Sequence, residues 1–597
     1  MGALPVRDYS EYQAPLAVLA SAWAQFTFGP GLRSELLLVC GAYAVTAAVA
    51  YLVTAAVSGS RVVGAACALV LTAATPVSYS YPKVLPYALA FAAAWLYLQR
   101  PSRWRIWLLA ATVVLGGLLR HDHAIMLGTG AVVVLLAAHG AMSKGASALA
   151  NLVLAGIVLA APYILWVARY EGVGNYLSSN TEVGRIEAHR SAWSPPAFAI
   201  DRSRPLWVRM ADPQEHIVYV RWQPNVSADT RHTAEVDHGL RLMGDIQRDA
   251  GQYEMRDASP AAVAALLRDH AVLETGGVDV QSGRLQDRRP VSAHVLQYIA
   301  LPADGLRPAS VAMLYYIAWV LPFIVLVLVA VSWRGLPIPV RSIAVMAVAV
   351  QLIMCWEMLR DPLPTRVRDV VAPLVVLLAL MPALTHLRTP LTPSARLMRH
   401  VALAAVFVVV GAAAAGAGSF GPNLRETGIS RGWQGVAARA KEIHDRYQPP
   451  YERIGVKPTG ILEYVIACTS PQSRFLAIGN VQQVFFYTQR GFAGGYDALS
   501  GFYTSNRHIT QILDRLSHED VPLVILDSQV VSSVMQTYPR IATYVTQRYH
   551  EVGRFDLTEG KAYIVMAENA RVPVRFFGAG NLPCFVSQEQ TQLSRFQ

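Results

Sequence analysis

IWLLAATVVLGGLLRHDHAIMLGTGAVVVLLAA, residues 106–138, sets Arg120, His121, Asp122 and His123 between two long apolar segments. Four ionisable groups at such a junction are costly in lipid and are seldom placed there without a role. The flanking segments, Ile106–Leu119 and Ala124–Ala138, read as two membrane helices that meet at a polar turn.

The wider chain agrees with that reading. Of its 597 residues 53% are hydrophobic and only 15% charged, with mean hydropathy +0.33. These values describe a polytopic α-helical membrane protein. Spanning candidates fall at about 36–56, 62–78, 84–98, 105–119, 124–139 and 146–168, and again at about 310–332, 342–358, 370–386 and 400–418. Pro86 interrupts the third of them. Ahead of these, Pro15–Phe28 is mildly apolar but too short to span and reads as an interfacial helix. The chain thus divides into a first outer loop (1–34), helices (35–168), a polar insertion (169–308), more helices (309–418) and a carboxy-terminal α/β domain (419–597).

The net charge of +11 would suit a nucleic-acid binder, but its placement argues otherwise. Alternate short loops hold Arg61; Arg100, Arg103 and Arg105; Lys144; Arg334 and Arg341; and Arg388, Arg396 and Arg399. These ten basic residues follow the positive-inside bias of cytoplasmic loops, so topology accounts for the charge and no nucleic-acid partner is expected. The opposite, extracytoplasmic face then carries residues 1–34, the turns at 79–83, 120–123 and 357–369, the insertion and the carboxy-terminal domain. Met1 is followed by no signal-peptide pattern. An outer amino terminus with no span before it leads to the expectation of one further helix upstream.

Within the insertion, HIVYVRW (216–222) alternates like a strand, and Ser259-Pro260 before AAVAALLRDH caps a helix. In the carboxy-terminal region, strands are expected at Arg474–Ile478, Val484–Tyr487, Pro522–Leu526 and Lys561–Met566. Helices are expected at Ser505–Ser517 and Ser528–Tyr538. Cys40, Cys67 and Cys355 lie in apolar segments and read as small buried side chains. Cys468 and Cys584 would sit on an oxidising side, where a disulfide and two free thiols are both open.

The residues able to do chemistry gather on the outer face. Asp8, Glu11 and Asp122 are candidate catalytic carboxylates, since an acid near the membrane surface can take the proton of an attacking hydroxyl. The alternatives are solvated or helix-start acids for Asp8 and Glu11, and an ion pair with Arg120 or Lys83 for Asp122. Arg360, Arg366 and Arg368 crowd one outer turn, with Lys83 and Arg120 on neighbouring ones. Guanidinium forks bind phosphate oxygens in pairs, and snorkelling to lipid headgroups is the competing use. His121 and His123, at i and i+2, point to separate faces of a helix, which favours substrate or hydrogen-bonding roles while leaving a divalent metal open.

Taken together, the opening GALPVRDYSEYQAPL…FGPG, the junction LLRHDHAIM, the turn LRDPLPTRVRDVVAP, and GFAGG (Gly491–Gly495) and LPCF (Leu582–Phe585) resemble the GT-C superfamily of membrane glycosyltransferases. The resemblance covers most of residues 1–140 and 355–597. It implies an inverting enzyme of the bacterial inner membrane that takes a sugar from a polyprenyl-phosphate donor. The acceptor would be an envelope glycan, lipid or protein on the outer face. By it Asp8 matches the later acid of the first outer loop, with the principal acid expected upstream. Asp122 with His121 and His123 would shape the sugar pocket, while Lys83, Arg120, Arg360, Arg366 and Arg368 would hold the phosphate. The competing classes are a transporter or flippase of lipid-linked substrate and an inactive scaffold of the same fold. Inverted repeats would mark the transporter, and none is evident.

Overall fold

The computed structural model of the protein describes residues 4–9, 15–29, 32–75, 83–140, 142–189, 217–223, 226–247, 250–255, 262, 265–266, 268–276, 278–279, 284–285, 303–360, 367–386, 393–446, 459–479, 481–497, 499, 503–528, 531–558, 561–578 and 580–587. The first half is helical: α1 (Pro15–Phe28), α2 (Leu32–Ser58), α3 (Arg61–Ala73), α4 (Leu85–Gln99), α5 (Arg103–Leu119), α6 (His121–His139), α7 (Ser143–Tyr170) and α8 (Val173–His189). After the insertion the bundle resumes with α9 (Ala303–Ser332), α10 (Ile338–Arg360), α11 (Val371–His386) and α12 (Pro393–Ala417).

Seven segments among the described residues are long and apolar enough to cross a membrane, in α2, α6, α7, α9, α10 and α12 and over Arg368–Thr385, which takes in the turn before α11 and most of that helix. Three expected spans are shorter than that. α3, α4 and α5 have 13, 15 and 17 residues, so at 1.5 Å per residue each is only about 20–26 Å long against a hydrocarbon core of about 30 Å. α4 buries Tyr87, Phe91 and Tyr97 within the bundle, and α5 opens on the charged Arg103 and Arg105. Residues 76–82, over which the second expected span ran on, lie outside the described residues. α11 is apolar on every side, and Val371 to Leu380 are nearly all buried, so it forms the centre of the bundle. α2, α7 and α12 instead turn large apolar side chains such as Leu52, Ile157 and Val408 outward. Cys67 and Cys355 are buried and donate to the carbonyls of Val375 and Ala318, whereas Cys40 is exposed, facing outward from α2.

The insertion forms a small antiparallel sheet of β1 (Ile217–Trp222), β2 (Leu240–Gln247), β3 (Ala250–Met255) and β4 (Val272–Gly276), ordered β2-β3-β1-β4. The expected strand at 216–222 is its third member, and Trp222 Nε1 donates to the Tyr253 hydroxyl across the sheet (3.1 Å). The Ser259-Pro260 cap lies outside the described residues.

The carboxy-terminal domain is α/β. Its sheet is ordered as Tyr549–Thr558, Lys561–Glu568, Leu523–Asp527, Arg474–Ile478 and Gly491–Phe492, the last three parallel and the first two an antiparallel hairpin. Side chains on a strand alternate faces. Leu523 and Ile525 enter one apolar layer and Val524 and Leu526 the other, which explains the continuous apolar run VPLVIL. Three of the four expected strands and both expected helices are present, the second helix trimmed to Val531–Thr537. Val484–Tyr487 is not a strand: Gln482–Thr488 is a helix. Val481, Val484, Phe485 and Thr488 are all buried at helical spacing, and Phe485 stacks on Phe475 with ring centroids 4.1 Å apart. Packing on the sheet outweighs the strand preference of the Phe486-Tyr487 pair. Cys468 and Cys584 form a disulfide that ties the helix Thr459–Cys468 to a terminal hairpin, Arg575–Phe577 with Leu582–Cys584.

Candidate functional site

The backbone breaks at Arg120. It is extended there (φ −164°, ψ 132°), ending α5 and starting α6, so His121, Asp122 and His123 make the first turn of α6. Gly116 and Gly117 let the two helices meet closely: a Cβ on either would stand 2.7 Å from Leu127 or 2.8 Å from Ala124. Asp122 takes the favourable place for a carboxylate at a helix start, and its Oδ1 accepts the His123 backbone N–H (3.0 Å).

Around this turn lies a cavity lined by Lys83, Tyr87, Arg120, Asp122, His123 and Glu357, together with Asp369. Arg120 Nη2 lies 2.5 Å from Asp122 Oδ2 and 3.1 Å from Glu357 Oε1, on α10. Asp122 Oδ2 is buried beside this guanidinium. Lys83, just before α4, meets Asp369 Oδ2 at 3.1 Å, with both residues more than nine-tenths buried. The Tyr87 hydroxyl is 2.8 Å from His123 Nδ1. Two cations thus face three carboxylates and one imidazole. The enclosed volume is about 40 Å³. That is room for water, so a sugar would have to enter from the mouth or part the side chains.

The expected site residues divide. Lys83, Arg120, Asp122 and His123 come together in this cavity. His121 turns the other way, its Nε2 2.7 Å from the Tyr176 hydroxyl of α8, as the i, i+2 spacing requires. Arg368 donates to Thr75 Oγ1 (3.3 Å) and does not line the cavity. Asp8 is held in its own turn, where Arg7 hydrogen-bonds its carboxylate and Leu4 N donates to Oδ2 (2.6 Å). The Arg7 hydrogen bond is the main reason its carboxyl titrates below the usual range. The Asp8 carbonyl accepts from Arg515 of the carboxy-terminal domain, so this segment joins two parts of the fold. Glu11 and Arg366 lie outside the described residues, as does the side chain of Arg360. Among the described residues no group of three His, Cys, Asp or Glu side chains is placed to hold a metal ion.

Sequence reasoning passed over Glu357, Asp369 and Tyr87. Their signal was present: a buried or half-buried cation at a membrane helix end needs an acid, and Glu357 and Asp369 bound the one outer turn already singled out for its arginines.

The same end of the bundle carries the carboxy-terminal domain. His508 is buried there between α8 and the helix Asn506–His518. Its Nε2 lies 3.0 Å from Ser179 Oγ, and its Nδ1 lies 2.8 Å from Ser505 Oγ and 3.4 Å from Glu182. Arg507 also donates to Ser179, and Glu171 and Arg515 complete the nearby charges. Burial lowers the His508 pKa from its ordinary 6.5, against the pull of Glu182. A histidine with a depressed pKa contributes stability that is present above the unfolded value and lost as pH falls through the folded one. Protection of the α8 amides, after correction for the pH dependence of intrinsic exchange, should therefore fall below about pH 6.5 in the wild type. A His508→Asn variant should lack that step. An equal acid-induced step in the variant would remove His508 as its source.

Comparison of the chain with protein-family models and with curated proteins finds no match to either.

Proposed function

We propose that the protein is a membrane glycosyltransferase that moves a sugar from a polyprenyl-phosphate donor to an acceptor on the extracytoplasmic face. The observation that carries the reading is the carboxylate of Asp122, buried beside the Arg120 guanidinium in a polar cavity at the end of a membrane helix. In such a site a carboxylate can take a proton from an attacking hydroxyl. The acceptor oxygen bonds to the anomeric carbon, the carbon–oxygen bond to phosphate breaks, the proton passes to Asp122 and polyprenyl phosphate leaves. Positive charge develops on the sugar ring as this happens. A cavity with three carboxylates and two cations favours that charge in the transition state.

The phosphate falls to other groups. Lys83 is engaged by Asp369, so the turn containing Arg360 and Arg366 is the better candidate for the leaving phosphate. The Cys468–Cys584 disulfide supports an oxidising compartment for the carboxy-terminal domain, in agreement with the basic loops facing the cytoplasm.

The full chain in proteoliposomes, given a panel of polyprenyl-phosphate sugars and envelope extract, should release polyprenyl phosphate and label a component of the extract. Movement of intact donor across the bilayer without its consumption would favour a transporter. In a Cys40→Ser background, an impermeant thiol reagent should label Ser517→Cys and not Ser143→Cys in intact cells. The opposite pattern would reverse the sidedness.

A further inference from the structure

The hairpin formed by Arg575–Phe577 and Leu582–Cys584 stands beside the edge strand Tyr549–Thr558, and between them is a groove of about 430 Å³. That is within the range of small-molecule sites, about 300–1,000 Å³. Its lining mixes flat apolar and short polar groups: Phe576 and Phe585 with His550, Glu551, Asn569 and Asn581. Phe576 is 62% exposed, a large ring left in solvent on an element that has every means of being held still. The disulfide anchors Cys584, Phe585 N donates to the Cys468 carbonyl (2.9 Å), and Arg575 donates to the carbonyls of Val586 and Ala467. A rigid wall carrying an exposed ring is suited to binding.

We propose that this groove binds a short neutral saccharide. Sugars present apolar C–H faces that lie on aromatic rings, and hydroxyl edges that need mixed donors and acceptors, which amide, imidazole and carboxylate groups supply. An anionic ligand fits less well. The guanidinium at the groove, Arg571, is already met by Asp520 and Glu568 and covers the Phe585 ring at 5.7 Å, while Glu551 adds negative charge. An apolar peptide would leave the polar half of the lining unpaired. Binding of the saccharide stands on the groove alone. Its role, holding a glycan acceptor for the same protein, rests on the glycosyl-transfer reading.

Saturation-transfer NMR on the full chain in nanodiscs tests it, with neutral di- and trisaccharides of mannose, glucose, galactose and arabinose as probes. Inorganic phosphate and a uronic-acid disaccharide are the anionic controls. At least one neutral saccharide should bind. Phe576→Ala and Asn581→Gly should each weaken it roughly 10-fold, from the loss of a stacking face or a directed hydrogen bond. Both residues are exposed, and glycine accepts the positive φ (47°) of position 581, so the melting temperature should stay unchanged. Binding of the anions alone, binding of nothing, or unchanged affinity in both variants overturns the proposal. Asp122→Asn should leave saccharide binding intact. Loss of transfer with binding retained therefore leaves the groove standing, and transfer without binding removes the groove alone.

Discussion

Asp122→Asn is expected to lower sugar transfer by about 100-fold or more at normal expression, the size of effect seen when a charge that strengthens its contacts in the transition state is removed. Asparagine keeps the shape and one carbonyl oxygen, so the His123 N–H can still be accepted. Arg120 keeps Glu357 at 3.1 Å, so no cation is stranded. The variant removes the charge and proton capacity of Oδ2, and its amide NH2, a donor facing the Arg120 guanidinium, shifts Arg120 toward Glu357. If Asp122 served only to hold Arg120, the single change would lower stability and the pair Arg120→Gln/Asp122→Asn would recover it. Under the proposal the double variant folds and stays inactive. Single-turnover transfer and melting temperature, measured together on both variants, separate the two cases. Full activity in a normally folded Asp122→Asn would remove this cavity from the reaction.

Sequence and structure part company in an instructive way. The junction at Arg120 was legible because charge inside an apolar run is costly, and the same cost brings Lys83, Arg120, Asp122 and His123 into one cavity. The divergence of His121 from His123 followed from helical geometry alone. What apolarity alone did not give was helix length: α3, α4 and α5 are apolar but shorter than the seven longest apolar segments. α4 is as apolar as any membrane helix, yet its rings face other helices, and composition does not separate burial in protein from exposure to lipid. The Val484–Tyr487 strand failed because strand-forming residues were given priority over the helical spacing of the buried ones. Asp8 was singled out by motif, but its Arg7 and Leu4 contacts depend on a turn that no periodicity announces.

The pair Lys83–Asp369 carries the other large effect. The two residues are 286 positions apart and join the start of α4 to the turn before α11, so the pair links the two halves of the bundle. Removing one partner leaves the other charge buried, which costs about 3–5 kcal/mol. Asp369→Leu should accordingly melt well below the wild type in nanodiscs. Lys83→Met/Asp369→Leu should recover most of that loss, because replacing both charges by apolar groups of similar volume is often neutral or stabilising. Transfer in the recovered double variant then identifies what the pair is for. If it serves structure alone, activity returns with the fold. If Lys83 leaves Asp369 to meet the departing phosphate, the double variant folds and stays impaired by roughly 10–150-fold, the worth of a charge-assisted hydrogen bond of about 1.5–3 kcal/mol. Near-wild-type stability of Asp369→Leu itself would mean that the ion pair does not form in the membrane.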